Sequence, residues 1–93
     1  MNKRSRIKDR IRAYLVSIMF EPMAKELFEA IVERVKIILI EEEYEFDDIN
    51  VTYEIAPGRR PPGQLIIFIK GKRDEDIKMY VEYEGRIEVG DYS

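Results

Sequence analysis

Apolar side chains at Ile7, Ile11, Leu15 and Ile18 recur at spacings of four, four and three residues. That spacing lines them up on one stripe of a helix spanning residues 5–19, with basic residues around it. The triplet "FEP" at 20–22 breaks the stripe. Proline disfavours helix in the residue before it, yet suits the first turn of a new helix, where its missing N–H has no partner. The pattern therefore predicts a corner near Phe20 and Glu21, with Phe20 tucked into it, and a second helix starting at Pro22. Ala24, Leu27, Phe28, Ile31, Val35 and Ile38 mark the inner face of that helix.

Residues 35–40, "VKIILI", are apolar at every position except Lys36. A helix apolar all round is covered on more than one side, by the first helix and a sheet or by another subunit. The same run also reads as a first strand, since periodicity does not separate a short buried strand from a buried helix. The glutamates and lysines before it, and the absence of a turn residue, favour helix.

The second half changes period. Ile49, Val51, Tyr53 and Ile55 alternate with Asn50, Thr52 and Glu54, as a half-buried strand does. "LIIFI" at 65–69 is apolar on both faces and is expected at the centre of a sheet. Ile77, Met79, Val81 and Tyr83 alternate again, and a tight turn at Glu84–Gly85 would lead to a short last strand with Ile87 and Val89. The expectation is a single α+β domain over residues 1–93: two N-terminal helices packed on a three- to four-stranded antiparallel meander, one sheet face on the helices and the other partly on water. The tail "GDYS" is expected to fray.

The connection 57–63 is unusual. It holds Pro57, Pro61 and Pro62, Gly58 and Gly63, and the adjacent Arg59 and Arg60. Prolines keep a segment extended and lower its ordering cost on docking, while paired arginines suit bidentate contact with carboxylates. Another subunit's acidic stretch is one such target.

Composition then removes whole classes of chemistry. Of 93 residues none is histidine or cysteine, so disulfides, thiolate zinc sites, cysteine nucleophiles and histidine acid–base catalysis are out of reach. The acidic stretch 41–48 lacks the alternating Asp/Asn pattern and the glycine of a calcium loop. Nothing marks a raised-pKa carboxyl in an apolar pocket, and "IKGK" follows the central strand without the glutamate of a nuclease-type Glu-x-Lys. "GRRPPG" has the glycines of a phosphate loop, but its prolines remove N–H donors. No catalytic residue, cofactor or metal site is expected. No run reaches the roughly 18 apolar residues of a membrane span, and no signal-peptide cleavage site is seen, so the expected location is the cytoplasm or an assembled virion. Charged residues make up 38% of the chain against one glutamine and two asparagines, a bias that points to a hot habitat.

The net charge of −3 hides a polarised distribution. Lys3, Arg4, Arg6, Lys8, Arg10 and Arg12 face only Asp9 within the first twelve residues, whereas "EEEYEFDD" at 41–48 carries six carboxylates and no base. Such poles attract each other, a neighbouring copy or separate partners, or simply stay solvated. The basic helix, with the 58–63 loop and an exposed Tyr80, also supports a small nucleic-acid-binding protein.

The order "RIRAYLVSIMFEP…ELFEAIVERVKIIL…INVTYEI…GQLIIFI" resembles components of contractile phage tails. One is the baseplate wedge, or sheath-initiator, family; the other is the C-terminal domain of tail sheath proteins. The resemblance covers residues 6–70 and rests on Phe20, Glu21, Pro22, Gly63, Leu65 and the helix spacing. "EEEYEF" stands where the baseplate family has Glu-Pro-Arg. The resemblance implies a structural subunit that docks by helix packing and strand addition. Residue by residue, the expected protein interface is Phe20, Pro22, Ile37, Ile40, Arg59 and Arg60, and the partners are other subunits in a homo- or hetero-oligomer. Nucleic acid is the alternative partner; a membrane is not expected.

Overall fold

A computed structural model describes residues 2–22, 24–55 and 63–83. The order is α1 (Lys3–Ser17), α2 (Lys25–Glu41), β1 (Phe46–Ile55), β2 (Gly63–Gly71) and β3 (Ile77–Tyr83). The strands form an antiparallel sheet in the order β1-β2-β3. This is the expected α+β arrangement, with "LIIFI" on the central strand. Residues 35–40 end a helix rather than form a strand. The proposed fourth strand at Ile87 and Val89, the turn at Glu84–Gly85, the tail and the loop arginines Arg59 and Arg60 lie outside the described residues.

Register explains the core. Ile49, Val51 and Tyr53 stand opposite Ile69, Ile67 and Leu65, which in turn stand opposite Ile77, Met79 and Val81. Residues opposite one another share a sheet face, so these side chains form one apolar surface. Both helices pack on it, α2 over β1 and α1 over β3. Ile7, Ile11 and Leu15 from α1 and Ile31, Val35, Ile38 and Leu39 from α2 complete the buried cluster. Each such side chain contributes roughly 1.5–3 kcal/mol by leaving water. On the outer face Ile66 is half-buried, and Phe68 and Tyr80 are exposed.

The helix boundaries differ from the periodic reading, for local reasons. Helix α1 starts before residue 5 because the Asn2 side chain accepts from the Ser5 N–H at 2.8 Å, a cap that apolar spacing does not reveal. It ends at Ser17, where Ile18 N–H bonds to Leu15 C=O at 3.2 Å and the turn tightens. The second helix starts at Lys25, not at Pro22. With Pro22 in the first turn, Glu21 would cap the helix and its carbonyl would accept the first intrahelical bond. That carbonyl accepts a hydrogen bond from the Tyr83 hydroxyl, and the first helical bonds go to the Ala24 carbonyl, from Leu27 N–H at 3.0 Å and Phe28 N–H at 3.1 Å.

Phe20 does not tuck into the corner; it is 71% exposed. Ile18 takes the buried position, and a side chain two residues on in a helical turn points to the opposite side. Strand β1 starts at Phe46, before the alternating run, because a bulge between Phe46 and Asp48 interrupts the alternation.

Two glycines are required by close approach. A Cβ at Gly71 would lie 2.2 Å from the Asp74 carbonyl oxygen, and one at Gly63 would lie 2.1 Å from the Tyr53 hydroxyl. The space above Gly63 lets the Tyr53 ring reach Tyr83, edge to face at 5.8 Å between centroids.

Candidate functional site

Helix α2 ends without glycine. Tyr44 N–H bonds to Leu39 C=O at 2.9 Å and Glu43 N–H to Ile40 C=O at 3.1 Å, the paired bonds of a Schellman cap. The left-handed position of that cap, φ 57°, is filled by Glu43. This cap turns the acidic stretch into three differently placed groups. Glu41 and Glu42 stay beside the helices, Glu43 is swung outward, and Tyr44 is driven into the core.

The two charge poles meet within the chain. Glu42 accepts from Arg6 Nε at 2.7 Å and from Arg10 Nη1 at 3.1 Å, while Arg10 Nη2 reaches Glu41 at 2.5 Å. Lys3 Nζ donates to the Glu43 carbonyl at 3.1 Å. The hydrogen bond from Arg6, helped by Arg10 and opposed by burial, holds the Glu42 carboxyl below the usual range. The same contacts, led by Glu41, push Arg10 up. Arg4 donates to Glu75 at 2.8 Å and so ties α1 to the turn between β2 and β3. Arg12 lies 3.9 Å from Asp9. Of the six basic residues proposed to contact nucleic acid, Lys3, Arg4, Arg6 and Arg10 thus hold the fold's own oxygens. Lys8 has no ion-pair partner among the described residues.

Beside this clamp lies a hollow of about 540 Å³, lined by Leu39, Ile40, Glu43, Tyr44, Glu45, Phe46 and Lys72. Its walls come from the end of α2, the start of β1 and the end of β2. Tyr44 underpins it: its hydroxyl donates to the Glu75 carbonyl, and burial, reinforced by Asp74, pushes that phenol up. Ile40 on the rim is 69% exposed, and Ile37, one turn back on the same face, is 46% exposed. The Glu43 carboxylate has no partner among the described residues, whereas Glu45 sits 3.3 Å from Arg73.

Of the expected interface residues, Ile37 and Ile40 come together here. Phe20 and Pro22 are exposed at the helix corner, one α2 length away, and Arg59 and Arg60 are outside the described residues. Sequence reading missed Tyr44, Phe46 and Glu43 as separate actors. The only available signal was the pair of aromatic residues set among the carboxylates. Among the described residues no group of acidic side chains converges to hold a metal ion, and no helix is long and apolar enough to cross a membrane. No family model, curated protein or solved structure matches this chain.

Proposed function

We propose that this chain is a structural assembly subunit that acts through protein–protein contacts, of the kind its resemblance to contractile-tail components implies. The observation that carries this reading is the exposed Ile37–Ile40 face running into the Leu39–Phe46 hollow. Two neighbouring isoleucines left in water beside a partly apolar hollow form a surface that a partner can cover. The free edge of β1, unpaired on its outer side among the described residues, adds backbone donors and acceptors for strand addition. Asp47 and Asp48 with the bulge guard its first residues, leaving the stretch from Ile49 onward open.

The internal pairing of Arg4, Arg6 and Arg10 weakens the nucleic-acid alternative, since a phosphate must compete with carboxylates already at hydrogen-bond distance. That alternative keeps one favourable feature: Phe68 and Tyr80 lie exposed on the outer sheet face, with Lys78 Nζ 5.6 Å from the Tyr80 ring.

Light scattering over a concentration series tests the reading. The wild-type mass should rise with concentration. Ile37→Glu with Ile40→Glu should weaken association roughly tenfold or more while leaving the fold intact. Undiminished association in that variant, or DNA binding with a steep salt dependence by a monomeric chain, would overturn it.

A further inference from the structure

The reading as an assembly subunit leaves its partner open, and the two ends of the molecule supply one. At one end β1 finishes at Ile55 and β2 starts at Gly63, which the register sets beside Tyr83. The Tyr83 hydroxyl bonds to the Glu21 carbonyl, so the helix corner and its exposed Phe20 sit at this end too. Residues 56–62 join the two strands here and carry Arg59, Arg60, Pro61 and Pro62. At the opposite end lies the hollow, with exposed Ile40 and the Glu43 carboxylate, which has no partner among the described residues.

The ends cannot meet within one chain. The ten residues of β1 span about 30 Å. A seven-residue connection that must return to its starting end projects at most about 14 Å from its anchors.

We propose that the hollow at the end of α2 receives the 56–62 segment of a second copy, head to tail. The charges are complementary at Glu43, whose carboxylate has no partner among the described residues and lies next to the carboxyl end of α2, whose peptide dipoles favour a cation. Glu45 is already 3.3 Å from Arg73 and Lys72 also lines the hollow, so a second guanidinium would have to share Glu45 with Arg73. Pro61 and Pro62 bring no N–H to desolvate, and proline rings suit an apolar floor such as Ile40 and Phe46. Because each copy offers a different surface to its two neighbours, the contact is heterologous and builds a ring or a filament rather than a closed dimer.

Charge exchange tests this. Sedimentation velocity would be run on the wild type, on Glu43→Arg/Glu45→Arg, on Arg59→Glu/Arg60→Glu, and on an equimolar mixture of the two variants. The wild type should grow beyond a dimer with concentration, each variant should associate roughly tenfold more weakly, and the mixture should regain wild-type association. Circular dichroism confirms the fold of each. If the arginine variant of the hollow unfolds, Glu43→Gln/Glu45→Gln replaces it and should weaken association in the same direction. A mixture no better than its components, or a wild type that stops at a dimer, overturns the head-to-tail contact. Charge variants that associate normally, beside an Ile37→Glu/Ile40→Glu variant that does not, remove this contact and leave the assembly reading standing. A wild type that stays monomeric throughout removes both.

Discussion

Glu43 holds a backbone conformation that side chains with a Cβ adopt at a cost, φ 57° at the end of α2. The left-handed region costs roughly 1–2 kcal/mol for such a residue, and glycine escapes that cost while losing more freedom on folding. Glu43→Gly should therefore raise stability by roughly 0.5–1 kcal/mol, read as a higher urea midpoint with an unchanged slope. An unchanged or lower midpoint would mean that the glutamate side chain itself supports the cap. The absence of glycine also explains why the end of this helix was hard to read. The stop signal is carried by backbone bonds to Leu39 and Ile40 and by burial of Tyr44, none of which has a composition signature. Phe20 illustrates the converse case. An aromatic residue beside a proline reads as a corner plug, but Ile18 already fills that place.

Helices and strands were legible where one face is buried and the other is wet. The α1 stripe, the inner face of α2 and the alternation in β1 and β3 all emerge from spacing alone, because burial on one side imposes the period. What spacing could not show is how elements are tied end to end. The opposite charges of the first helix and the acidic stretch were visible, but their pairing within one chain is a product of the fold, which brings residues 32 and 36 positions apart into contact. This clamp has a pH signature. Glu42 titrates below its unfolded value because Arg6 and then Arg10 favour the charged form. Its contribution is present above the unfolded carboxyl pKa, near 4.5, and is lost as pH falls through the lower folded value. Glu42→Gln should thus lower the melting temperature at pH 7, and the gap from wild type should close once the medium is acid enough to protonate both states. A gap of constant size across that titration would assign the loss to packing instead of charge.

Across the whole molecule, two tyrosine hydroxyls pin opposite ends: Tyr44 holds the β2–β3 turn beneath the hollow, and Tyr83 holds the helix corner. Both phenols are pushed up, chiefly by burial, and Tyr83 to about 12. The sign follows from the neutral form being the one the fold retains. Near pH 10 the unfolded chain begins to release these protons while the folded chain keeps them, so stability present below pH 10 drains away as pH rises toward about 12. Substitution isolates the part of the slope that belongs to one tyrosine. Tyr83→Phe should melt earlier than wild type at pH 8, having lost the bond to the Glu21 carbonyl, and should lose less stability than wild type between pH 10 and 12. Equal alkaline slopes in the two proteins would show that the corner is not held through this phenol. Because that bond ties the corner to the strand ends, an earlier alkaline transition would also loosen the end that carries Phe20 before the clamp at the other end gives way. Amide exchange near pH 10 should therefore show faster opening at residues 18–21 than at the Glu42 turn.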